Sequence, residues 1–98
     1  MKRTKAQNDQ SRLWNLRDLL LKDRDMDGLS AAQIKSVAKT LYKHLDMVLG
    51  IIERVDLENI QLRTVMILIQ RFAFKHRASF AKGMAKKLIR DIRKIMEC

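Results

Sequence analysis

The chain has 98 residues, a formal net charge of +10, 47% apolar residues and 33% charged residues. That length suits about one domain and buries roughly two thirds of its unfolded surface, and the apolar share excludes a disordered tail. With no proline and only three glycines, the composition excludes a sandwich or barrel and points to helices joined by short loops.

Residues 1–10, MKRTKAQNDQ, read as a flexible basic tail, and residues 11–98 as a single helical domain. No apolar run follows the basic start, so it is not a signal peptide. A first helix is expected from about Ser11 to Leu21. Leu13, Leu16 and Leu20 form its stripe, and Asp9 or Ser11 could cap it. The second helix has a defined start. Ser30 and Gln33 fit the S-x-x-Q capping box, and Leu29 and Ile34 stand where a hydrophobic staple sits. Ile34, Val37, Leu41, Leu45 and Val48 follow at helical spacing. Gly50 could end this helix, or a further turn could carry it through Val55.

Asp56 suits the cap of a third helix, Leu57 to Phe74, which is apolar on nearly every side. Such a helix is normally the central, buried one. Its run VMILI, Val65 to Ile69, is the longest unbroken apolar stretch and is far too short to span a bilayer. After KHRAS, Ser79 could cap a last helix bearing Ala81, Met84, Ala85, Leu88, Ile92 and Ile95, with Gly83 alone inside it. The expected fold is all-α, a compact bundle of four to five helices around a buried central helix.

The loop KDRDMDGLS resembles a calcium-binding loop, with Asp23, Asp25 and Asp27 alternating before Gly28. Counted from Asp23, however, the twelfth position is Ile34, so the bidentate glutamate of an EF-hand is missing. The capping box also starts the next helix inside the loop. No calcium site is therefore expected, and aspartate before glycine is ordinary turn chemistry.

Met26-Asp27-Gly28-Leu29, between the first two helices, and Ile69-Gln70-Arg71-Phe72-Ala73-Phe74, ending the buried one, recur in order on an all-helical background. This pairing resembles the integrase-binding domains of lens epithelium-derived growth factor and hepatoma-derived growth factor-related protein 2. Those domains lie within the wider family similar to the N-terminal domain of elongation factor TFIIS. The family pattern has an apolar residue before Asp in the first interhelical loop. In the second it has a basic residue, an aromatic, a spacer and an apolar residue. Ser11-Arg12-Leu13 matches the start of the domain, and the likeness covers about residues 11–96.

The resemblance implies a compact right-handed helical bundle in a nuclear chromatin or transcription protein. Such a module binds short linear motifs of disordered partners, with a phenylalanine or other apolar anchor and acidic flanks. It implies that Asp27 accepts hydrogen bonds from the partner's backbone and that Met26, Phe72 and Phe74 line the pocket. Gly28 belongs to the recognition loop, and Arg71 and Lys75 meet the acidic flanks. For Phe72 and Phe74 the residues themselves also fit core packing at a helix end; both cannot point inward on one face. Three positions depart from the pattern. Gly28 replaces a polar residue and raises the entropic cost of ordering the loop. Phe74 replaces a smaller aliphatic residue. Leu68, Ile69 and Gln70 stand where the family has basic residues, so retroviral integrase loses its expected contacts.

Charge supports a second function. From Arg71 to Cys98 there are nine Lys or Arg and two acids. The last helix presents Lys82, Lys86, Lys87, Arg90, Arg93 and Lys94, which could follow the phosphates of a nucleic acid. The ordinary alternative is a solvated face, and few aromatics are present to stack single strands. A homodimer, or a basic helix lying on a membrane surface, is a third possibility. Catalysis, a cofactor and a metal find no support. His44 and His76 lie far apart with no evident nucleophile or carboxylate partner, no Cys/His cluster has ligand spacing, and no Gly-rich phosphate loop is present. The lone Cys98 permits no internal disulfide and fits a reducing compartment.

Overall fold

In a computed structural model, residues 5–26, 28–54 and 60–97 are described. They form five α-helices and no strand: α1 (Lys5–Asp25), α2 (Ala31–Lys43), α3 (Leu45–Arg54), α4 (Ile60–Lys75) and α5 (Met84–Glu97), with a short 3-10 turn at Arg77–Ser79. The all-α bundle expected from composition and periodicity is the fold observed.

The centre is α4. Leu62, Val65, Met66, Leu68, Ile69, Phe72 and Ala73 are all buried and share one broad face, while Gln61, Arg63, Arg71, Phe74 and Lys75 are exposed. That apolar face must be covered, and α1 and α5 provide the main cover. Leu13 and Leu20 seal one flank from α1, and Ala85, Leu88 and Ile92 seal the other from α5. Each fully buried aliphatic side chain contributes roughly 1.5–3 kcal/mol relative to exposure.

Where α2 begins, the sequence is obeyed in detail. The Gln33 N–H donates to Ser30 Oγ at 3.3 Å, and the Ser30 N–H donates to Gln33 Oε1 at 3.0 Å. Two otherwise orphaned helix N–H groups are thereby satisfied, and buried Leu29 packs just ahead of them.

Four boundaries differ from expectation. Helix α1 already includes residues 5–10 of the presumed tail, so Ser11 lies inside it and caps nothing. The stripe through Val48 is split at His44, whose φ of −112° and ψ of 26° lie outside the helical region. After the bend α3 packs against α1, α2 and α5, with Leu45, Val48, Ile51 and Ile52 buried. Gly50 lies within α3 and ends nothing. Finally, Ser79 closes the 3-10 turn rather than capping α5, which begins only at Met84 after Gly83 takes a φ of +81°. Ala81 is exposed and outside the last helix. The expected cap at Asp56 lies outside the described residues.

Candidate functional site

Asp23 continues the Leu13–Leu16–Leu20 stripe of α1 and therefore faces inward. Its side chain is only 6% exposed, yet it is fully partnered. The Leu29 N–H donates to Oδ1 at 3.4 Å. His76 Nε2 lies 3.2 Å from Oδ1 and 3.0 Å from Oδ2. The Lys75 ammonium donates to Oδ2 at 3.4 Å. One carboxylate thus joins the end of α1, the loop before α2 and the end of α4. Burial opposes its ionisation, but the His76 hydrogen bond and charge, the Leu29 N–H and Lys75 outweigh that and hold the carboxyl below its ordinary value of 3.8. His76, expected to lack a carboxylate partner, has one. With both oxygens turned onto donors, the first position of the calcium-like loop faces away from any cation in solvent.

Beside this cluster an open groove of about 470 Å³ runs along the C-terminal half of α4, between α1 and α5. Leu20, Leu68, Phe72 and Ile89 give it an apolar floor, with Asp23 at one end. Arg24, Arg71, Lys75 and Arg93 stand around it, four cations from three helices. Gln70 helps fix the geometry, its amide donating to the Ile89 carbonyl at 3.2 Å and so tying α4 to α5. Phe74 is 65% exposed at the groove's edge. The Arg77 guanidinium lies 5.1 Å over its ring and donates to its carbonyl at 3.0 Å, which steadies the aromatic in water.

The groove gathers Arg71, Phe72, Phe74 and Lys75 from the resemblance and Arg93 from the basic helix. Met26, 72% exposed, and Gly28 lie on the loop but do not line it. Asp27, expected as the central acceptor, lies outside the described residues. Phe72 is corrected in kind: it is 2% exposed, with its ring 4.8 Å from that of His76 and 6.2 Å from that of Phe80. Its bulk is core, and the groove meets only its edge. Sequence reasoning missed Asp23, Arg24, Leu20 and Ile89. An acid falling on the leucine stripe was the available signal for Asp23.

A second hollow of about 390 Å³ lies between α1 and α3, walled by Leu13, Leu16, Leu19, Met47 and Ile51. Arg12 reaches across it, with Nη1 3.4 Å from Met47 Sδ. It lacks the ring of cations that marks the first. On α5, Lys86, Arg90, Arg93 and Lys94 are exposed, as is Lys82 in the preceding turn. Lys87 is half-buried with its ammonium 4.0 Å from Asp91, which also draws Arg90 to 3.6 Å. Among the described residues no cluster of His, Cys, Asp or Glu could hold a metal ion, and no helix is long and apolar enough to cross a membrane. Comparison with protein-family models, curated proteins and solved structures finds no match to the chain.

Proposed function

We propose that the chain is a protein–protein interaction module that binds short linear motifs, each an apolar or phenylalanine anchor flanked by acidic residues. One observation carries this: an exposed aromatic, Phe74, edges an apolar groove surrounded by Arg24, Arg71, Lys75 and Arg93. Apolar contact supplies the affinity of a small interface, and aromatic residues dominate it. Surrounding cations select an acidic partner and speed its approach. The anchor lies over Leu68 and Ile89 beside Phe74, and the flanks meet Lys75 and the guanidinium groups of Arg24, Arg71 and Arg93. Resemblance to the integrase-binding domain and TFIIS N-terminal family supports partners among disordered chromatin or transcription-elongation proteins in the nucleus. The proposed groove lies on α1, α4 and α5, not on the paired loops that the family pattern emphasises.

The test is an amide-resolved NMR titration with a synthetic peptide carrying one phenylalanine between runs of aspartate and glutamate. Shifts confined to residues 68–75, 89–93 and the end of α1, lost in Phe74→Ala, support the module. An unresponsive groove sinks it. A second reading has its own observation, the exposed cations Lys86, Arg90, Arg93 and Lys94 along α5, with Lys82 in the turn before it. A short DNA duplex in the same titration tests it. Salt-sensitive shifts along α5, with no peptide response, would make the chain a nucleic-acid binder.

A further inference from the structure

We propose that capture of an acidic motif in the groove is coupled to uptake of a proton at His76, because the cation that receives the motif, Lys75, is borrowed from the buried Asp23. The inference rests on the motif-binding reading and adds regulation to that site.

Asp23 has three donors of unequal freedom. The Leu29 N–H is backbone, fixed by the capping box that follows it. His76 is held by its ring contact with Phe72, and its side chain is 14% exposed. Lys75 is the most exposed of the three. Its side chain is 57% exposed, it lines the groove, and its ammonium sits on a flexible four-carbon stem. A carboxylate arriving in the groove competes with Asp23 for that ammonium.

Asp23 cannot follow Lys75 out, and its desolvated charge needs a counter-charge. The other cations are committed elsewhere or face the groove. Arg24 pairs with Asp25 at 3.4 Å. Arg77 is turned onto Phe74. Arg71 and Arg93 line the groove, where the ligand itself takes them. From α2, which packs on the 3-10 turn beside His76, the cations are Lys35, Lys39 and Lys43, all exposed at the surface. His76, 3.0 Å from Oδ2, is therefore the group that can supply the charge, by taking a proton from solvent to become imidazolium. Imidazole is the side chain suited to that change near neutral pH. The favoured ionisation of Asp23, whose pKa lies below the ordinary carboxylate value, agrees, since it keeps the proton off the carboxylate.

The sign follows by linkage. If the bound state holds more protons than the free one, affinity rises as pH falls through the imidazole range, by at most about tenfold per pH unit for one proton. Below the range in which the motif's own carboxylates ionise, attraction is lost again.

The experiment is calorimetric titration of the whole chain with the acidic phenylalanine peptide, at pH 7, in two buffers of different ionisation enthalpy. The difference counts protons exchanged. In parallel, the histidine ring signals are followed by NMR with and without peptide. Net proton uptake is expected, with the His76 ring signals moving toward those of imidazolium. His76→Gln keeps an N–H donor for Asp23 and is expected to bind with no proton exchanged. His44→Gln is expected to behave like the parent. Peptide binding with zero proton exchange in the parent overturns the coupling but leaves the module standing. So does uptake that survives in His76→Gln. A parent that binds no peptide overturns the module reading, and the coupling with it.

Discussion

His76 Nε2 lies 3.0 Å from the Asp23 carboxylate across 53 residues of chain. The contact closes the end of α1 onto the end of α4. Because the folded protein favours ionisation of Asp23 and holds its pKa below the ordinary 3.8, the carboxylate stabilises the fold at pH above that unfolded value, and the stability is lost as pH falls through the lower folded value. Asp23→Asn should therefore flatten the acid limb of a stability-versus-pH curve below about pH 4. Asp23→Ala also leaves the Leu29 N–H without its acceptor and should cost about 2–3 kcal/mol in urea unfolding at neutral pH. An unchanged acid limb in Asp23→Asn would show the pair to be inert.

Phe72 and Phe74 should separate cleanly. Phe72 is core, and Phe72→Ala should lose about 3–5 kcal/mol and leave the chain largely unfolded, contrary to a purely recognitional role. Phe74→Ala, at an exposed site, should change stability by less than about 0.5 kcal/mol while abolishing the peptide response. Thermal unfolding of both variants beside the peptide titration decides it.

The capping box offers a local check. Ser30→Ala removes the acceptor of the Gln33 N–H and should cost about 1 kcal/mol. The loss should be read by chemical unfolding and accompanied by faster amide exchange in the first turn of α2. Equal stability would mean that the staple at Leu29 carries the helix start alone.

Gly28 has a φ of +81° and a virtual Cβ 3.8 Å from Asp23 Oδ1, an ordinary contact distance. Space is not the obstacle to a side chain there; backbone conformation is. Gly28→Ala should cost about 1–2 kcal/mol, and Gly28→Asn less, because asparagine tolerates the left-handed region. If both variants unfold at the same denaturant concentration as the parent, the loop has relaxed to another conformation.

Much of this was legible from residue spacing. The all-α class, the central place of α4 and the reciprocal Ser30–Gln33 cap follow from period and local chemistry, which act within a few residues. The bend at His44 was not, because a continuous stripe fits one helix or two until tertiary packing chooses. The pairing of Asp23 with His76 was hidden for another reason: no local rule links positions so far apart. Phe72 stayed open between two readings because its motif fits a core aromatic as well as a recognition aromatic. Only burial separates the two.

The closure between Asp23 and His76 also has a temporal meaning. Helices α4 and α5 are joined by a short connection and form the most extensive packing in the bundle, so their docking demands little loop-closure entropy. The bridge to α1 joins residues 53 apart and is expected to form after that unit. Interactions absent from the rate-limiting step act on escape from the native state rather than on entry to it. Asp23→Ala should therefore steepen the rate of unfolding while refolding proceeds at the parental speed, which stopped-flow mixing can read directly. Lifetime of the native state, more than the speed of reaching it, is what removal of this one buried carboxylate is expected to change.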